Sequence, residues 1–250
     1  MTTTRPVTVV TGGSRGIGAA VVDCLAARGH DLVVGYRSDA AAAVRTADRA
    51  RDLGGSAVAV QVDVTDPDDV GRLFDEAAAL GVVTGLVTSA GLTAHIGDLA
   101  DTSVETVRTV LDVNLWGTVL CCRQAALTMS TDRGGSGGAI VTISSAAATM
   151  GSPHEYVHYA AAKAGVEGLT VGLAKELAGQ GVRVNCVSPG LIHTDIHAAA
   201  GQPDRATRLA GRIPLGRAGQ PGEIAPAVAW LLSAEAGYAS GAVLRVAGGM

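Results

Sequence analysis

The chain alternates short, almost purely apolar runs with longer stretches in which apolar positions recur every three or four residues. The short runs are Val7–Thr11, Asp31–Tyr36, Ala57–Val62, Gly85–Thr88, Ala139–Ser144, Val182–Ser188 and Ala242–Val246. Most are nearly continuous in Val, Ile, Leu and Ala, as strands covered on both faces must be. Helical patterns fall between them, over Ile17–Arg28, Ala40–Leu53, Pro67–Leu80, Val104–Ser130, Tyr156–Ala178 and Glu223–Ser233. This alternation predicts a single doubly wound α/β domain over residues 1–250, with a mainly parallel seven-stranded sheet and helices on both faces. Thr65, Asp66 and Pro67 supply a cap and an early helical proline, and Gly29 follows a helix that ends in Arg28. The Gly-rich stretch 132–138 reads as a flexible loop. The stretch from Leu191 to Arg217 breaks the rhythm just after a strand. Ligands in open α/β sheets bind at the carboxyl ends of strands, so this stretch is expected to be a mobile substrate lid.

Composition narrows the function classes. Apolar residues make up 48 % of the chain and charged residues 17 %, which excludes a disordered chain. Aromatics are only 3 %, so the core must be built from Ala, Val, Leu and Ile. A net charge of −4, with no basic stripe, argues against a nucleic-acid partner. Cys24, Cys121, Cys122 and Cys186 form no C-x-x-C pair and are expected to be buried apolar thiols. The start, Met1 to Pro6, is short and polar, unlike a secretory leader. No apolar run approaches the ~18 residues of a membrane helix. A cytoplasmic protein without a membrane partner is expected.

The chemistry begins at Thr11-Gly-Gly-Ser14-Arg15-Gly16-Ile17-Gly18, which follows the first strand and opens a helix. Glycines there let the backbone turn tightly and approach a pyrophosphate at the helix N-terminus. The spacing, with Gly12, Gly16 and Gly18, resembles the cofactor loop of the short-chain dehydrogenase/reductase family. The similarity recurs along essentially the whole chain and implies a Rossmann-type fold. An NAD site usually places an acid near the end of the second strand. Here that place is held by Tyr36, followed by Arg37 and Ser38. Arg15 and Arg37 would favour a 2′-phosphate through charge-assisted hydrogen bonds, so NADP(H) is the expected cofactor over NAD, although Asp39 lies nearby. The resemblance also implies an adenine site at Asp63-Val64 and a ribose surface at Ala90-Gly91. The family's usual Asn-Asn before those two residues is Thr88-Ser89 here. What steadies that strand end is left open.

Tyr159 and Lys163 stand at i and i+4 on one helix face. A Lys ammonium there is expected to lower the phenol pKa toward the operating pH of an acid/base group. The resemblance makes Tyr159 the proton donor, with Lys163 its partner and a holder of the nicotinamide ribose. It places the carbonyl-polarising serine at Ser145 of Ile143-Ser144-Ser145, with Ser144 the weaker candidate, and one extra residue taken up in loop 151–157. Asn114 is odd inside a helical pattern, because its side chain competes for backbone groups. The family's role for it is to kink the helix and hold a water linked to Lys163. Pro189, Gly190, Ile192 and Thr194 resemble the segment that clamps the nicotinamide.

His95, His154, His158, His193 and His197 form no metal-ligand cluster; surface or substrate-facing roles are expected, with His154 and His158 flanking Tyr159. No metal is implied. The function that results is hydride transfer between NADP(H) and the carbonyl or secondary alcohol carbon of a small molecule, in the manner of a 3-oxoacyl reductase or general ketone reductase. The alternatives are an NAD-dependent sugar or polyol dehydrogenase and a non-catalytic NADP(H)-binding redox sensor. The segment Ser240–Met250 resembles a last strand that packs across a two-fold axis, which implies a homo-oligomer, tetramer or dimer. The usual Asp in that segment is Ala247 here.

Overall fold

Val9 and Val10 are adjacent in sequence, fully buried, and belong to opposite halves of the core. This follows from the pleat, which sends successive side chains to opposite faces. The computed structural model describes residues 5–250; Met1–Thr4, part of the polar start, lie outside the described residues. The strands are β1 (Val7–Thr11), β2 (Asp31–Tyr36), β3 (Ala57–Gln61), β4 (Val83–Thr88), β5 (Gly138–Ile143), β6 (Val182–Pro189) and β7 (Val243–Val246). They form one seven-stranded sheet in the order β3-β2-β1-β4-β5-β6-β7. Each neighbouring pair is parallel.

The helices are α1 (Gly16–Ala26), α2 (Ala40–Asp52), α3 (Pro67–Leu80), α4 (Val104–Leu111), α5 (Gly117–Met129), α6 (Ala147–Met150), α7 (Val157–Leu177), α8 (Ile196–Ala199), α9 (Arg205–Arg208) and α10 (Pro221–Leu232). Leu73 and Phe74 of α3, Met129 of α5 and Leu177 of α7 pack with Val9 on one face. Leu25 of α1, Ala47 of α2 and Leu231 of α10 pack with Val10 on the other. Each such Leu or Val contributes roughly 1.5–3 kcal/mol of burial.

Three expectations change. The long helix over Val104–Ser130 is interrupted by a π turn at Asp112–Trp116. Its cause is Asn114, whose side-chain Nδ2 donates to Val110 O at 2.8 Å, competing with the helix ladder. The Gly-rich stretch 132–138 is packed rather than slack. Gly137 N donates to Met129 O at 2.8 Å, and a β-carbon on Gly138 would collide with Thr84 O. The last helix begins at Pro221 because Gln220 and Glu223 form a capping box ahead of it. Asp66 caps α3 as expected, accepting from Asp68 N at 2.9 Å.

Candidate active site

A cleft of about 870 Å³ opens along the carboxyl ends of the strands. The candidate catalytic and cofactor-binding residues line it except Gly18 and Asn114. The floor is a close meeting of backbones. Gly12 has φ +65°, and a β-carbon on it would come within 2.8 Å of the Ala90 backbone. Gly16, at φ +55°, faces Thr194 across a gap that a β-carbon would narrow to 3.3 Å. The Gly12–Gly18 loop, the end of β4 and the segment after β6 therefore converge.

Without the two asparagines, the end of β4 is held by other groups. Ala90 N donates to Thr11 Oγ1 at 3.2 Å. Asn114 grips the next residue but one: Nδ2 donates to Leu92 O at 2.7 Å, and Oδ1 accepts from Leu92 N at 3.3 Å. Asn114 is fully buried, and both its amide hydrogens are engaged by protein. Its carbonyl accepts from Thr118 Oγ1 at 2.8 Å. Asn114→Ala would leave the half-buried Leu92 amide and carbonyl, and the Val110 carbonyl, without their side-chain partner. We expect a loss of about 2–4 kcal/mol, measured by urea unfolding; a loss below 1 kcal/mol would refute the clamp.

Lys163 and Tyr159 lie on one face of α7, with Nζ 5.7 Å from the ring centroid. Nζ does not bond the phenol; it donates to Ile143 O at 2.9 Å. Burial brings the Lys163 ammonium down to about 8. Burial also raises the Tyr159 phenol above its ordinary value, with Tyr156 adding to the rise and the neighbouring Ser145 hydroxyl opposing it. The expected lowering of the phenol by Lys163 is thus not found in the ligand-free chain, because desolvation dominates. Ser145 and Tyr159 are brought together. Ser144 is turned away, with its hydroxyl donating to Glu167 at 2.9 Å and to Lys163 O at 3.1 Å. The Ser144–Glu167 bond was not legible in the sequence, whereas the π turn falls where Asn114 marked an oddity and the resemblance implied a kink. In the loop before Tyr159, Ser152 and His154 take φ +46° and +61°.

Of the histidines, His158 departs from the expected surface or substrate-facing place. His154 is exposed and pairs with Asp98 at 2.9 Å, while His158 is buried; neither lines the cleft. His197 is buried and lies 3.2 Å from Ile192 O. Among the described residues, no cluster of His, Cys, Asp and Glu could hold a metal ion. Cys121, Cys122 and Cys186 are buried, as expected, while Cys24 is only partly so; burial raises the Cys121 thiol to about 12.

A family model described as Enoyl-(Acyl carrier protein) reductase matches residues 12–250. The chain is 42 % identical to the uncharacterized oxidoreductase YgfF of Escherichia coli, over 97 % of this chain and 99 % of that one. It belongs to the short-chain dehydrogenase/reductase family. It is 40 % identical to a human 3-oxoacyl-[acyl-carrier-protein] reductase, over 98 % of this chain and 97 % of that one. A short-chain type dehydrogenase/reductase from Mycobacterium marinum superposes with a TM-score of 0.90 at 33 % identity, covering 98 % of this chain and 94 % of that one. As a member of the short-chain dehydrogenase/reductase family, the chain is an oxidoreductase acting on CH–OH and C=O groups, and the family binds a nicotinamide cofactor. The residues present fit such a group. The first turn of α1 faces the cleft with no capping side chain and no acidic residue, so its amides are free for an anion. Among the described residues Arg15 makes no ion pair. No described helix is long and apolar enough to cross a membrane.

Proposed function

We propose that the chain reduces the carbonyl group of a small ketone or aldehyde with NADPH, in the manner of 3-oxoacyl or general ketone reductases. The observation that carries this reading is that Ser145, Tyr159 and Lys163 line one cleft together with the Gly12–Ile17 loop. Burial keeps the Tyr159 proton on the phenol, and a cation at Lys163 would ease its release to a forming alkoxide by stabilising the phenolate. When bound, the nicotinamide supplies the hydride. Ser145 and Tyr159 orient the carbonyl oxygen by hydrogen bonds, and Tyr159 Oη gives it a proton. Lys163, charged below about pH 8, steadies the resulting phenolate and draws on solvent to reload it. Gly12, Ser14, Gly16 and Ile17 hold the pyrophosphate, with Gly18 packed behind them. Asp63 and Val64 take the adenine, and Ala90 and Gly91 take the ribose. Pro189, Gly190, Ile192 and Thr194 hold the nicotinamide, and residues 191–217 form the lid. We propose a homo-oligomer acting in the cytoplasm.

The preference for NADPH rests on Arg15, with Tyr36, Arg37 and Ser38 lining the same end of the cleft. Asp39, the acid that could repel a 2′-phosphate, is engaged as the cap of α2, accepting from Ala42 N at 2.9 Å. One observation favours NAD: Arg37 is paired with Asp63 at 3.3 Å. The two readings separate by titration. Arg15→Ala is expected to weaken NADPH by about tenfold or more and NADH by less than about twofold. Equal weakening of both cofactors would favour NAD.

A further inference from the structure

Arg205 is an Arg in a nominally mobile lid, yet its side chain is only 5 % exposed. It reaches from α9 to the loop just before α7. Its Nη2 lies 2.6 Å from Glu155 Oε2 and donates to Tyr156 Oη at 3.3 Å. The guanidinium carbon stands 5.3 Å from the centroid of the Tyr156 ring. That ring meets the Tyr159 ring edge-on, with centroids 5.3 Å apart. Glu155 O in turn accepts from Gly97 N at 2.7 Å, which ties in the loop after β4. Three segments around the substrate end of the cleft therefore meet at Glu155 and Tyr156, and Arg205 is the lid's contribution.

We infer that Arg205 is a positioning residue: it latches the lid to Glu155 and Tyr156, and through the Tyr156 ring it fixes the Tyr159 phenol against the substrate carbonyl. The geometry explains why a charge is buried in a segment otherwise built from small apolar contacts, Ala206, Ile213 and Ala218 against Leu191 and Met250. An isolated guanidinium there would be costly, whereas one paired with a carboxylate and lying against an aromatic ring is tolerated. The latch sits at the substrate end, away from Arg15 and Arg37, so it acts on the ketone rather than on the nucleotide. The role in catalysis rests on the proposed carbonyl reduction; the latch itself does not.

The test compares Arg205→Met, Arg205→Lys and the exchanged pair Arg205→Glu with Glu155→Arg. Amide hydrogen exchange of the full-length protein reads the latch without any turnover. In Arg205→Met, exchange across 196–213 is expected to accelerate by about tenfold or more, while α1 and β1 stay unchanged. With an active ketone and saturating NADPH, KM for the ketone is expected to rise about tenfold and kcat to fall several-fold, with NADPH affinity within about twofold of wild type. The exchanged pair is expected to restore part of both effects, and Arg205→Lys to fall between. Unchanged exchange in the lid overturns the latch. Accelerated exchange with unaltered ketone KM and kcat overturns the positioning of Tyr159. Equal damage to ketone and NADPH binding shows a merely structural residue and overturns it as well. If Arg205→Met does not fold, the lysine variant and the exchanged pair decide by the same readings. A wild-type chain that reduces no carbonyl compound defeats the proposed function but leaves the exchange result standing.

Discussion

Tyr159→Phe is expected to abolish carbonyl reduction, lowering kcat by about 10²–10⁴-fold, the range general acid catalysis supplies. Binding of NADPH, followed by cofactor fluorescence, is expected to persist, because the phenol oxygen is lost and the ring stays. The variant removes one hydroxyl from a buried site and should change unfolding free energy by no more than about 1 kcal/mol. Turnover above a tenth of wild type would sink the assignment. The pH profile gives a second reading. Burial holds the phenol protonated, so it stays ready to donate on both sides of neutrality. Lys163 titrates at about 8 and loses its charge as the pH rises through that value. Reduction is therefore expected to be level below about pH 8 and to fall above it, and Lys163→Met should abolish that limb along with most activity. The same shift bears on stability with a definite sign. An unfolded Lys keeps its proton to its ordinary value of 10.5, so the cost of burying the charge is fully present below about 8. That cost is relieved as the pH rises from about 8 to 10.5 in the cofactor-free protein.

Gly18→Ala is expected to cost about 3 kcal/mol and to lower Tm by about 6–12 °C, with NADPH binding weakened at least tenfold. A β-carbon at Gly18 would fall well inside contact distance of Gly12 O, and that atom is backbone. Gly12 cannot retreat, since it is itself pressed against Ala90. The strain must pass into the Gly12–Gly18 loop, the proposed phosphate site. Gly71→Ala on α3, where nothing lies within 4 Å of the added carbon, is the control and should leave Tm unchanged or slightly higher. A Gly18→Ala protein that melts within a degree of wild type would refute the tight loop–helix contact.

The fold was legible because the apolar runs are nearly pure: β1, β2 and α3 have the bounds their patterns predict. What sequence could not supply was the state of individual side chains. The i, i+4 spacing of Tyr159 and Lys163 put them on one face, but only the packing shows that Nζ turns to Ile143 O. Asn114 was visible as an anomaly, yet its hold on Leu92 crosses 22 residues and carries no local signature. The same limit hid Arg205. A guanidinium in a polar stretch reads as solvated, and its partners Glu155 and Tyr156 lie about 50 positions upstream. His158 shows the reverse error: next to Tyr159 in sequence, it is buried outside the cleft lining, because neighbours on a helix diverge.

The strand order carries a consequence for how the molecule assembles. β1 is an interior strand, with β2 on one side and β4 on the other. During synthesis the first three strands can pair among themselves, but the far edge of β1 stays open until Val83–Thr88 has emerged. That strand is buried along its whole length in the finished fold, so a nascent chain carries an adhesive seam for tens of residues of translation. Its closure is non-local and slow in comparison with local helix formation. The cleft opens above this same junction, so early exposure during biogenesis and ligand access in the finished protein share one origin: the reversal of strand order beside β1.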